Sequence, residues 1–348
     1  MSKFLKRLLL TIAIPVALYG CAKPPMPDVY WPEPPDTPRV KYVKAYRGEA
    51  DFSKGGIAAE IILGSASGMS LKKPMGLHVD KNGVLYVTDT ASADVFLFDT
   101  KNNRFTTLGQ MGAKIFYKPI SVTTDDSGRI FVTDSQVDKV AVLDARGTLQ
   151  GYLEPSEPFQ QPTGIAADNV HKRLYVTDTH THDVRVFDLE TLKPLKTVGK
   201  RGKEEGEFNF PSHIGVDNQG YLYVVDTMNG RLQIFDGDGK FVRAFGQFGD
   251  IPGMFARPKG VGLDSEGHIY VVDAAFNNVQ IFEKEGGILM AFGSYGSGRG
   301  QVILPAGMAV DNEDFLYVVD SWNRRVNVYE YLGEKSKARA AALSKAKK

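Results

Sequence analysis

The chain has 348 residues, a single cysteine, 43% hydrophobic and 24% charged residues, and a formal net charge of +1. That length supports a large core, and one cysteine excludes any internal disulfide. Residues 21–333 carry 33 Lys/Arg against 40 Asp/Glu, an acidic body with no basic stripe for nucleic acid.

Residues 1–20 read as an address. Lys3, Lys6 and Arg7 give a basic start, and the apolar run 8–19 is too short to span a bilayer comfortably. The run ends Leu18-Tyr19-Gly20-Cys21, which resembles the lipobox of bacterial lipoproteins, with Tyr19 bulkier than the usual residue. The resemblance implies cleavage before Cys21, acylation (palmitate-type chains) on that cysteine, and a cell-envelope location. Ala22 follows where an Asp would retain the protein at the inner membrane by the enterobacterial rule, so the outer membrane is favoured. Residues 22–39 hold seven of the eighteen prolines. Residues 21–39 are therefore expected to be a polyproline-like tether outside the sheet, able to lift the folded part by up to ~55 Å.

Residues 40–46 are strand-like, and 50–73 read as an insertion with a short helix near 57–63. One pattern then recurs six times, at 74–99, 119–144, 162–188, 211–236, 258–283 and 305–330, with the opening prolines 43 to 49 residues apart. Within the first repeat, residues 76–79, 84–88, 95–98 and 104–108 have strand composition, and Asp80-Lys81-Asn82-Gly83 is hairpin-turn chemistry. Such a period with no sustained 3.6-residue apolar pattern predicts a β-propeller blade rather than a helical repeat. The last repeat stops at Tyr331-Leu332 without a fourth strand. Residues 40–46 are expected to supply it, closing the ring and removing a free sheet edge. The fold expected is all-β: a six-bladed propeller of four-stranded antiparallel blades over residues 40–333. Residues 334–348, with six Lys/Arg and one acid, are expected to be a solvated, frayed tail.

The order P-x-G-h-A-h-D, h-Y-V-x-D-[ST], N-N-x-V-x-h-F resembles the NHL repeat family over residues 74–330. Ser121 and His213 depart from it by replacing the usual Gly, and Asp183 by replacing a common Arg. The loop between strands two and three lies beside the linker into the next blade, and this face is where such propellers bind partners. Asp89, Asp134, Asp178, Asp226, Asp273 and Asp320 recur at one position there. A carboxylate identical in every blade is expected to cap its own turn through backbone N–H groups, not to catalyse.

Chemistry requires residues that break the symmetry. The positions after each proline, expected at the channel mouth, are Met75, Ile120, Thr163, Ser212, Lys259 and Ala306, with His213 one further on. Amidating lyases of similar fold need several histidines converging on zinc, and lactonase-type propellers use Glu, Asn and Asp around a divalent ion. One histidine and no acid at the mouth predict no metal and no cofactor. His78, in mid-strand, is expected to pack between blades. The turn residues His180, His182, Met228, Phe276 and Trp322 are instead expected to form a protein-binding patch. The function predicted is a non-catalytic, lipid-anchored envelope scaffold for another protein. At family level an electron-transfer complex is one setting for it. The alternatives are a lyase or lactonase-type enzyme, or a carbohydrate or peptidoglycan binder stacking on Trp322 and Tyr295.

Overall fold

In the computed structural model, which describes residues 27–52, 68–109 and 115–346, each repeat becomes one antiparallel blade. Strands β1 (Tyr30–Trp31) and β2 (Val40–Tyr46) precede the first blade, formed by β3 (Pro74–Val79), β4 (Val84–Asp89), β5 (Asp94–Asp99) and β6 (Arg104–Thr107). Blades two to five repeat this order, and the sixth contributes Pro305–Val310, Phe315–Asp320 and Arg325–Tyr331. The result is a six-bladed β-propeller, as the period predicts. The insertion helix expected near 57–63 and the sequence up to residue 26, Cys21 included, lie outside the described residues.

The second and third strands of each blade are buried on both faces, because sheets stack on sheets around the ring. The first strands crowd the central axis, blade six against blade one included. This crowding is why glycine follows two residues after the proline. A side chain on Gly307 would lie 2.7 Å from the carbonyl oxygen of Met75, and one on Gly164 would lie 2.9 Å from the Cα of His213. In the first three blades a threonine also bridges to the next blade: the hydroxyls of Thr88, Thr133 and Thr177 donate to the carbonyls of Ile120, Thr163 and Ser212 at 2.9, 2.6 and 3.0 Å.

Strand β2 pairs antiparallel with Arg325–Tyr331, from Val40 opposite Tyr331 to Tyr46 opposite Val326. The two ends of the chain thus share blade six, in agreement with the closure expected from residues 40–46. Two expectations about the flanking segments are corrected. The tether does not stay outside the sheet from residue 27 onward, because β1 adds a fifth strand to blade six. Val29-Tyr30-Trp31 runs extended beside β2: the Tyr42 N–H donates to the Val29 carbonyl at 2.9 Å and the Arg39 N–H to that of Trp31 at 2.7 Å. The Trp31 ring then lies 5.7 Å from Tyr329 and 6.0 Å from Phe292. The tail is likewise not frayed over residues 334–346, which form helix α1 (Glu334–Ala346). Arg339 pairs with Glu330 at 2.6 Å and Glu313 at 3.2 Å, and Lys335 with Asp314 at 3.3 Å. The basic side chains that suggested a solvated end instead hold the helix against Glu313 and Asp314 in one turn of blade six and Glu330 on its third strand.

Candidate functional site at the channel mouth and upper rim

The face bearing the turns between strands two and three, here the upper face, contains a cavity of about 420 Å³ on the axis. Its wall includes Met75, Ile120, Thr163, Ser212, His213 and Lys259, all expected at the mouth from the sequence. Ala306 is the correction: it is buried in the core shared by blades six and one and does not line the cavity. Residues preceding the prolines, not among those expected at the mouth, contribute Lys118, Gln161, Phe210 and Arg257. The signal was present: Lys73, Lys118, Gln161, Phe210, Arg257 and Leu304 precede the prolines, and after the two lysines they vary in charge and size, as a site requires.

Phe210 has a left-handed backbone, φ +53°, which a bulky residue adopts only under constraint. The constraint is His182, whose Nδ1 accepts the Phe210 N–H at 3.1 Å and whose ring lies 4.6 Å from the Phe210 ring. His182 is only 6% exposed, so it is a support beneath the mouth rather than a residue offered to a partner. Burial, then the nearby Arg201, hold its imidazole below the usual histidine range.

His213 replaces the axial glycine of blade four and is 8% exposed. Its Nδ1 lies 3.3 Å from Ser212 Oγ, which lies 2.7 Å from Thr227 Oγ1, which donates to the Pro258 carbonyl at 3.1 Å. His213 Nε2 has no partner. Burial lowers this imidazole to about 3, keeping it neutral. Lys259, half-buried on the next blade, is also lowered, by burial first and then by Arg257. Lys118, Arg257 and Lys259 have no carboxylate partner among the described residues.

This donor set does not suit a divalent cation. The cavity wall contains one histidine, three cations and no carboxylate, and no cluster of three His, Cys, Asp or Glu able to hold a metal occurs among the described residues. His78, expected to be packed, lies near the lower end, its Nε2 2.9 Å from Thr124 Oγ1 of the next blade.

The repeated aspartates act more broadly than expected. Asp89 accepts the N–H groups of Ala91 and Ser92 in its own turn at 3.1 and 2.8 Å, and those of Lys72 and Lys73 in the incoming linker at 2.6 and 2.8 Å. Asp273 does the same with Ala275, Phe276, Ala256 and Arg257, and Asp134 with Gln136, Tyr117 and Lys118. In Asp178, Asp226 and Asp320 the linker contact persists, but among the described residues no own-turn backbone N–H is capped; the Asn229 and Asn323 side-chain amides donate to Asp226 and Asp320 instead, each at 2.8 Å. Asp226 and Asp320 also bind Arg231 and Arg325 at 2.9 and 2.7 Å. The constant duty is therefore to clasp the entering linker.

Around the mouth, blades four to six raise an apolar rim. Trp322 is 67% exposed and Met228 52% exposed, Phe276 is half-buried, and His180 is exposed on blade three. The linkers add Tyr295 at 70% and Phe248 at 52% exposure, while Phe255 is fully buried. Trp322 and Tyr295 thus stay in solvent instead of folding onto their neighbours.

With this geometry in view, residues 66–246 match the family described as SMP-30/Gluconolactonase/LRE-like region, about half of the chain. The chain belongs to the SMP-30/gluconolactonase/LRE-like family. A second description, 6-bladed beta-propeller, matches residues 218–275. NHL repeat-containing protein 2 of Bos taurus is 30% identical over 100 residues, covering 26% of this chain and 14% of its own, in keeping with NHL-type blades. A probable peptidyl-alpha-hydroxyglycine alpha-amidating lyase of Caenorhabditis elegans is 31% identical over 85 residues, 23% of this chain and 24% of the relative. The chain spans only 5% to 24% of the length of the first curated relatives it matches. Among solved structures, streptogramin B lyase superposes with a TM-score of 0.57 at 12% identity, covering 75% of this chain and 94% of that one, a likeness of fold alone. This SMP-30/gluconolactonase/LRE-like propeller therefore shares its fold with lyase structures, and its own mouth carries one histidine, three cations and no carboxylate.

Proposed function

We propose that the chain is a lipid-anchored cell-envelope protein, favoured at the outer membrane, whose propeller recognises another protein through its upper rim and has no catalytic activity of its own. The observation that carries this is the exposure of Trp322 and Tyr295, 67% and 70%, on one face of the ring. Large rings left in water on a face that also exposes Met228 and Phe248 match the composition of binding hot spots. The anchor rests on Leu18-Tyr19-Gly20-Cys21. Six residue steps lead from that cysteine to Pro27, whose carbonyl accepts from Arg299 in a linker of the same face at 2.6 Å. Even fully extended, they span only ~20 Å. The tether therefore keeps the rim near the membrane and near partners embedded in it, such as members of an electron-transfer complex.

The rival reading, an enzyme of the amidating-lyase or lactonase type, is favoured by the family and by the lyase relatives. The carboxylate-free, cationic mouth weighs against a metal-dependent version of it. A carbohydrate or peptidoglycan binder would use Trp322 and Tyr295 as stacking platforms.

Two measurements test the proposal. Native complexes cross-linked in cells and recovered from detergent extracts should contain a partner with wild type that is lost with Trp322→Ala, at unchanged thermal stability. Equal recovery of the same partner by both proteins would remove the rim from the mechanism. Cys21→Ala should abolish acylation and partitioning into detergent; unchanged partitioning would remove the anchor.

A further inference from the structure

The axial cavity opens inside the rim, shares Met228 with it, and has its own chemistry. Proton counting along its hydrogen bonds gives the state of His213. The Pro258 carbonyl can only accept, so the Thr227 hydroxyl donates to it. The Ser212 hydroxyl must then donate to Thr227, and His213 Nδ1 carries the proton shared with Ser212. His213 Nε2, without a partner in the cavity wall, is left as a bare lone pair that needs a donor. The same cavity wall carries Lys259 on the next blade and the exposed Arg257 and Lys118, three cations with no carboxylate partner among the described residues. The remaining wall is largely apolar, with Met75, Ile120, Phe210 and Met228.

We propose that this mouth binds a small organic carboxylate that also bears a hydroxyl or N–H donor and an apolar body. The carboxylate would sit against the half-buried Lys259, with the exposed Arg257 at its open side, and would offset the repulsion between the two cations. The hydroxyl or N–H donates to His213 Nε2. The apolar body covers Ile120, Met75 and the Phe210 ring, and a cavity of about 420 Å³ is within the usual range for such ligands. Where the family's fold would otherwise suggest a cation at this mouth, the residues of this chain select an anion.

The inference is independent of protein docking at the rim, and its test is separable from that proposal. Three probes are titrated calorimetrically into the purified, delipidated propeller: 2-hydroxyoctanoate, octanoate and octane-1,2-diol. The first should bind. Octanoate, lacking the donor, should bind about tenfold more weakly. The diol, lacking the charge, should be weaker still. Lys259→Met keeps the stem and removes the charge, and should reduce 2-hydroxyoctanoate affinity by tenfold to a hundredfold, roughly the worth of a charged hydrogen bond. His213→Ala should erase the difference between 2-hydroxyoctanoate and octanoate while leaving octanoate binding in place. Trp322→Ala should leave all three affinities unchanged. The proposal is overturned if 2-hydroxyoctanoate does not bind, if the diol binds equally well, or if Lys259→Met, folded as judged by its melting curve, retains full affinity.

Discussion

Trp31 decides whether the proline-rich segment is part of the propeller or merely hangs from it. Its ring meets Phe292 and Tyr329 and lies over Gly300, where a methyl group would overlap it. Replacing Trp31 by Ala removes roughly 100–150 Å² of buried apolar contact, or about 3 kcal/mol at 25 cal/mol per Å². A domain of this size loses about 4 °C in Tm for that change. The protein has two tryptophans, Trp31 half-buried and Trp322 exposed, which makes fluorescence a direct assay. Trp31→Ala should leave only red-shifted, readily quenched emission from Trp322, and Trp322→Ala only blue-shifted, protected emission from Trp31. Gly300→Ala should also destabilise, both through its overlap with the ring and through its φ of +72°. In the Trp31→Ala background the overlap part of that cost should vanish. An unshifted Tm for Trp31→Ala, together with solvent-exposed emission from Trp31 in Trp322→Ala, would refute the docking of this segment and restore the free tether.

The repeated aspartates should differ in cost. Asp320→Ala leaves Arg325, 3% exposed, without its carboxylate and should cost about 3–5 kcal/mol. Asp273→Ala removes only backbone contacts and should cost about 2 kcal/mol, so equal losses in denaturant titration would argue against the arginine pairing. Acid should weaken the fold through its buried histidines. His78 and His213, lowered by burial to about 4 and about 3, bind fewer protons folded than unfolded. Their stabilisation is present above the unfolded value of 6.5 and is lost as pH falls toward those folded values, by about 2 kcal/mol each between pH 7.5 and 5. His268 works in the opposite sense: its hydrogen bond to Asp264 raises it, so that contribution is present at low pH and lost as pH rises through the raised value. His213→Leu should flatten part of the acid slope in urea midpoints measured across this range, and an unchanged slope would show that His213 is protonated in the fold.

The blades were legible because each is built from contacts within some 45 residues, whose turn, strand and clasp chemistry the repeat spells out locally. Residues 40–46 could be placed for the same reason: a seventh strand-like run had one vacant edge to fill. Most mouth residues were also readable, since the proline marks where each first strand meets the axis. What the tertiary structure alone decided lies where distant segments meet. Trp31 finds its pocket between Phe292 and Tyr329, and Arg339 finds Glu313 and Glu330, across separations that no local pattern records. His182 looked like a turn residue open to a partner, yet a positive φ at Phe210 folds a neighbouring blade's ring over it. Lys118, Arg257 and Lys259 come from blades two and five, and only ring closure brings them to one cavity without a carboxylate. The repeat specifies a blade through short-range packing, whereas the axis and the outer edge combine single residues from many blades, and their charge balance exists only once the ring has closed.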